Sequence, residues 1–185
     1  MSGDTRAFDA LTATVGESIV ARLTDVERRL VEIVQTRDPA ATGPSLTTLA
    51  AGGKRLRPLL VITCGAIDRA TERQAAALIS AGASVELVHM ATLVHDDVLD
   101  DAALRRGRPT VYAAEGRQAA LHTGDMLFAL AFEELTASGD IEQVRALSRA
   151  SSGLAQGELL QREDAWDATV TRERYMLRCT LKTAR

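Results

Sequence analysis

Residues 72–101 constrain the fold more than any other part of this chain. Their first half, with Ala75, Ala76, Ala77, Leu78, Ile79, Ala81, Gly82 and Ala83, is almost entirely small or apolar. The run continues through Leu87, Val88, Met90, Leu93 and Val94 and ends on Asp96-Asp97-Val98-Leu99-Asp100-Asp101. A helix with so little polar face belongs at the centre of a helical bundle. Four carboxylates therefore stand at the end of an element that is at least half buried, where their repulsion costs more than on a surface.

At a helical step of about 100° per residue, Asp96 and Asp100 fall within about 20° of His89, so the three share one stripe. Asp96 and Asp100 are i,i+4 neighbours that can face a common ligand. Asp97 and Asp101 form a second pair, about 100° round the helix. A divalent cation would relieve the repulsion. Hard oxygen ligands select magnesium or calcium, and magnesium usually keeps waters and bridges to substrate phosphates. The plainer alternative is a solvated acidic helix end, the commoner fate of such clusters. The apolar context and nearby basic residues weigh against it. Glu86-Leu87-Val88-His89 has the Glu-x-x-His spacing of di-iron bundles. Neither His95 nor His122 has a glutamate three residues before it, which excludes that reading.

Two basic clusters flank this helix. Gly52-Gly53-Lys54-Arg55-Leu56-Arg57-Pro58 sets flexible backbone before three cations. Lys54 and Arg57, three apart, can face one anion if the turn is helical, and a diphosphate is an anion of that kind. Arg105 and Arg106 follow the acidic run and point in different directions, so they can serve two anions. The competing readings are a solvated basic loop, and arginines that merely neutralise the aspartates, which at an exposed site is worth little. The net charge is −3, so nucleic acid is not indicated.

Elsewhere, helical spacing dominates. Leu11, Val15, Ile19, Leu23, Val26, Leu30 and Val34 recur at steps of three and four within residues 5–34. Residues 37–44, with two prolines and a glycine, read as a loop. Residues 59–67 read as a buried helix, 105–110 as a basic loop, and 117–137 and 141–162 as helices. A last helix starts near Thr171, whose hydroxyl can cap it. No strand pattern or repeat emerges. Aromatic residues are only 3% of the chain, so the core is built from Ala, Leu, Val and Ile. The expected fold is all-α, one domain over residues 1–185, a bundle of mostly antiparallel helices. Cys64 and Cys179 form no CxxC, so neither a disulfide framework nor a zinc site is expected. The apolar run 59–67 is too short to span a bilayer and no signal-peptide core is present, so a cytoplasmic protein without a transmembrane segment is expected.

Taken in order, residues 52–58, Glu86-Leu87-Val88-His89, His95-Asp96-Asp97-Val98-Leu99-Asp100-Asp101 and Arg105-Arg106-Gly107-Arg108-Pro109-Thr110 resemble the trans-isoprenyl diphosphate synthases, the polyprenyl synthetase family. Gly124-Asp125, Gly157-Glu158 with Gln161, and Lys182-Thr183-Ala184 continue the pattern. The resemblance implies an isoprenoid-synthase bundle that condenses isopentenyl diphosphate with an allylic diphosphate, using Mg2+. It implies Asp96 and Asp100 as magnesium ligands, with Asp97 assisting. Arg105 would bind the allylic diphosphate, and Arg106, Lys54, Arg57 and His89 the isopentenyl diphosphate. Gln161, Lys182 and Thr183 would lie beside the reacting allylic carbons. A homodimer is also implied. Small residues at Ala91 and Thr92, where short-chain members carry bulky aromatics, imply a longer polyprenyl product.

The family carries a second aspartate-rich motif beyond Lys182-Thr183, and this sequence stops at Arg185. Residues 175–185 read as helix without a stop signal. The expectation is a partial synthase lacking C-terminal helices, with an exposed apolar face. The alternatives are a truncated, inactive or partner-completed binding subunit, and a terpene cyclase. The Lys54, Arg57 and His89 set argues against a cyclase, which needs no second diphosphate site.

Overall fold

The computed structural model describes residues 16–35, 39–65 and 71–183. These residues form eight helices and one two-residue hairpin. The helices are α1 (Glu17–Gln35), α2 (Pro39–Ala50), α3 (Leu56–Gly65), α4 (Glu72–Leu99), α5 (Val111–Glu115), α6 (Arg117–Ala137), α7 (Ile141–Glu163) and α8 (Arg172–Thr183). The hairpin pairs β1 (Leu104–Arg105) with β2 (Arg108–Pro109). The fold is all-α, as the periodicity requires. The chain divides after Gly139 into two compact units.

In the first unit α4 is the central element. It packs most extensively along α6 and also against α3 and α1. Ile19, Val26, Leu30, Ile33 and Val34 form the buried stripe of α1. Leu11 and Val15, expected on the same stripe, lie outside the described residues, as does Ile67 at the expected end of α3. Gly82 admits the close approach of α1, since a side chain there would stand 3.1 Å from Val26. Thr71 starts α4 through a reciprocal capping box with Gln74.

Three expectations change. Residues 39–44 belong to helix α2, not to a loop. Pro39 sits at the first helical position, where its missing N–H is no loss, and the burial of Pro44, Ser45 and Leu49 repays the ladder bond that Pro44 lacks. The buried part of α4 is its second half, from Gly82 to Val98. Its alanine-rich start instead lines a cleft of about 670 Å³ with residues of α1 and α6. The 105–110 segment is a hairpin. Arg106 and Gly107 both have positive φ, 53° and 76°, the requirement of a tight two-residue turn.

By length and composition α4 could cross a membrane. Half of its most apolar window is packed inside the protein. In the second unit α7 and α8 pack against each other. Asp140 caps α7, and Thr171 accepts a hydrogen bond from the Arg174 N–H at 3.2 Å, the cap expected for α8. Leu159, Tyr175, Met176 and Leu177 are exposed in this unit.

Candidate active site

The acidic run ends α4 and divides by direction. Asp96 is half-buried and Asp100 exposed, with the Asp100 N–H donating to the Asp96 carbonyl at 2.8 Å. Asp97 is buried, and its Oδ1 accepts from Arg105 Nε at 2.9 Å and Nη2 at 2.8 Å. Burial pushes the Asp97 carboxyl above its ordinary range, outweighing the pull of Arg105. Asp101 takes a left-handed φ of 49°, which aspartate tolerates, and its carboxylate accepts from the Tyr112 hydroxyl at 2.9 Å. Asp96 and Asp100 stand one turn apart, while Asp97 and Asp101 hold the surrounding structure.

No group of three or more His, Cys, Asp or Glu side chains among the described residues closes a metal cage. Two carboxylates one turn apart nevertheless suit magnesium, which commonly takes one or two protein carboxylates, waters and substrate phosphate oxygens.

Both basic clusters are brought to one place. Gly52 has φ 78° and Arg55 has φ 47°, so the chain doubles back just before α3. A side chain at Gly53 would meet Arg106 Nη1 at 3.0 Å and Arg55 Nη1 at 3.1 Å. Gly52 supplies the backbone conformation and Gly53 supplies the space. Arg108 Nη1 donates to the Ala50 carbonyl at 3.1 Å, which seats the hairpin against this loop. Thr110 locks the hairpin's far end: its hydroxyl donates to the Ala102 carbonyl at 2.7 Å and accepts from the Ala113 N–H at 3.0 Å.

His89 lies within this field. Burial, then the charges of Arg57, Arg106, Arg105 and Arg55, press its pKa down to about 4. A neutral imidazole with guanidiniums of both basic clusters acting on it suits an anion. Lys54 is half-buried and Arg57 exposed beside it. Eight expected residues, Lys54, Arg57, His89, Asp96, Asp97, Asp100, Arg105 and Arg106, belong to the first unit. Thr92, one turn before Asp96, is half-buried and donates its hydroxyl to the His89 carbonyl at 2.8 Å. Ala91 is fully buried in the helix packing.

Gln161, Lys182 and Thr183 belong to the second unit. Lys182 Nζ donates to Gln161 Oε1 at 3.0 Å and lies 2.5 Å from a Glu158 carboxylate oxygen. Gly157 makes this possible: a Cβ there would stand 2.7 Å from the Lys182 backbone nitrogen. Thr183 is exposed, and Ala184 lies outside the described residues.

Sequence reasoning missed several supporting residues. Glu158 was not expected to hold Lys182. Gly124 leaves room for His95, whose ring would lie 2.2 Å from a Cβ at position 124. His95 there stacks on Phe128 and reaches Asp125 Oδ1 at 3.4 Å. A signal existed in both cases, because glycine inside a helix is unfavourable unless backbone or side chain must approach closely.

The sequence matches the polyprenyl synthetase family over residues 39–185. The chain belongs to the polyprenyl synthetase family. It is 36% identical over 137 residues to the octaprenyl diphosphate synthase of Escherichia coli, covering 74% of this chain and 42% of that protein. It is 35% identical over 159 residues to heptaprenyl diphosphate synthase component 2 of Bacillus subtilis, covering 86% of this chain and 45% of the relative. Among solved structures, a decaprenyl diphosphate synthase from Rhodobacter capsulatus superposes with a TM-score of 0.83 at 30% identity, over 92% of this chain and 52% of that one. A polyprenyl synthase from Caulobacter crescentus, complexed with calcium and isoprenyl diphosphate, gives 0.79 at 32% identity, over 88% and 48%. The chain thus spans about half the length of the proteins it matches, and the α4 bundle is an isoprenoid-synthase fold.

Proposed function

We propose that the protein is a trans-prenyltransferase that condenses isopentenyl diphosphate with an allylic diphosphate to make a medium- or long-chain polyprenyl diphosphate. One observation carries the reading: the Gly52-Gly53 loop and the Arg106-Gly107 hairpin meet over Gly53, and arginines of both clusters act on His89, which shares α4 with the Asp96 and Asp100 pair. Family membership supports it. Lys54, Arg57, His89 and Arg106 bind the isopentenyl diphosphate. Arg105, held in place by Asp97, binds the allylic diphosphate. Asp96 and Asp100 hold Mg2+, which when bound neutralises diphosphate charge and favours departure of that group. The calcium and isoprenyl diphosphate in the Caulobacter crescentus structure support a divalent cation here.

Cationic side chains aimed at the departing diphosphate favour cleavage of the allylic C–O bond, where negative charge develops on oxygen. The alkene of the second substrate then attacks the allylic cation, and the adduct loses a proton to the departed diphosphate. Family membership supports assigning Gln161, Lys182 and Thr183 to the allylic substrate, and within the second unit Glu158 fixes the Lys182 ammonium. No protein nucleophile is required. Thr92 is small enough to let the growing chain pass, which favours a longer product. We place the protein in the cytoplasm as a homodimer.

A second reading is a diphosphate-binding subunit completed by a different partner chain. The Bacillus subtilis relative is component 2 of a heptaprenyl diphosphate synthase, which favours this second reading. The test is mass spectrometry of products formed from isopentenyl and farnesyl diphosphates with Mg2+. Linear prenyl diphosphates extended by five-carbon units support the synthase. Binding of both substrates without extension supports the subunit. Cyclic hydrocarbons without extension overturn both in favour of a cyclase.

A further inference from the structure

Glu86 and Arg55 are left over once the diphosphate ligands are assigned. Arg55 is 8% exposed and turns away from the loop surface. Its Nη1 donates to Glu86 Oε1 at 2.9 Å, its Nε to Glu27 Oε1 at 2.5 Å, and its Nη2 to the Leu49 carbonyl at 3.2 Å. Glu86 is itself 4% exposed and stands on α4, three residues before His89. One guanidinium therefore ties together α1, the end of α2 and α4, from inside the loop that carries Lys54. Arg55 also takes a left-handed φ of 47°, a conformation that a residue with a side chain rarely adopts. Something must hold it there, and the three hydrogen-bonded anchors do so.

We infer that Arg55 and Glu86 form a buried positioning pair that sets the loop of Lys54 and the α4 residue His89 at a fixed separation for one diphosphate. The inference rests on the diphosphate reading above and extends it. Neither residue touches the anion. Glu86 and Glu27 absorb the charge of Arg55, so the anion is drawn to Lys54, Arg57 and Arg106. The same guanidinium packs beside that of Arg106 over Gly53, which couples the hairpin to the loop. The Glu-x-x-His spacing thus has a role without metal: glutamate holds the loop from below while histidine faces the ligand.

The test measures binding of inorganic diphosphate to the full chain by calorimetry, with folding monitored by circular dichroism. Glu86→Gln is expected to weaken binding about tenfold, as small misplacements of positioned groups do. Glu86→Asp should recover part of the loss. Combined with Lys54→Ala, its penalty should be less than additive, because Glu86 acts through the position of Lys54. Amide hydrogen exchange at Lys54 and Arg55 should quicken in Glu86→Gln. Unchanged affinity in a folded Glu86→Gln protein, or strictly additive penalties, would overturn the inference. Should Glu86→Gln fail to fold, Glu27→Gln removes one anchor from a half-exposed carboxylate. It is expected to weaken diphosphate binding about threefold, by losing one hydrogen bond of ordinary net strength, and unchanged affinity there also overturns the inference. Failure of the unaltered chain to bind diphosphate overturns the diphosphate reading itself, and this inference with it.

Discussion

Replacing Gly157 by alanine should separate α8 from α7 and displace Lys182. The added Cβ would lie 2.7 Å from the Lys182 nitrogen and 3.0 Å from its Cα, about 0.7 Å inside the 3.4 Å at which ordinary contact begins. These are backbone atoms, so no rotamer change relieves the clash. Alanine in a helix gains roughly 0.5–1 kcal/mol over glycine. Overpacking costs typically about 1–3 kcal/mol. The net expectation is destabilisation of up to about 2.5 kcal/mol. Urea unfolding followed by circular dichroism measures it. A second readout is specific to the site. The hydrogen bond of Lys182 Nζ to Gln161, now 3.0 Å, should lengthen or break in a crystal structure of the variant. A Gly157→Ala protein more stable than the parent, with α7 and α8 unmoved in its crystal structure, would refute the close-approach argument.

Three further outcomes are expected. Below its ordinary value of 6.5 and above its folded value of about 4, His89 stays neutral in the native state but gains a proton on unfolding. The unfolded state binds more protons there, so the His89 contribution to stability falls as pH drops through that window, and His89→Gln should flatten this slope in urea titrations at several pH values. Bound diphosphate offsets the arginine field, so the His89 pKa followed by NMR should rise on adding it; an unmoved pKa would remove His89 from the anion site. Glu134→Ala removes the partner of Arg29 and Ser80, bonded at 2.7–2.9 Å. Because Arg29 is 42% exposed and can return to water, the cost should be about 2 kcal/mol rather than that of a stranded buried charge, measured by thermal unfolding.

How far the sequence could be read depended on the range of the interaction. Spacing within one helix separated Asp96 and Asp100 from Asp97, because a 100° step is local geometry. It also placed α1, α6, α7 and the Thr171 cap. The two basic clusters were legible as binders of small anions, but their contact with each other was not. That contact depends on positive φ at Arg55 and Arg106, which no propensity of arginine announces. The helix over 39–44 was hidden because the prolines signal a loop locally, while burial of Pro44 and Leu49 overrides them. The alanine-rich start of α4 was read as central because small residues do not reveal whether a neighbour covers them. The pairing of Glu158 with Lys182 spans two helices and was carried in the sequence only by Gly157.

The most direct measurement is the affinity of the chain for inorganic diphosphate with and without Mg2+, in the parent and in Asp96→Asn/Asp100→Asn. The parent should bind diphosphate through the basic loops alone and more tightly with Mg2+. The double variant should keep the first and lose the second. Binding that ignores Mg2+ in the parent, or strengthening by Mg2+ that survives the double variant, would contradict the placement of the cation on Asp96 and Asp100.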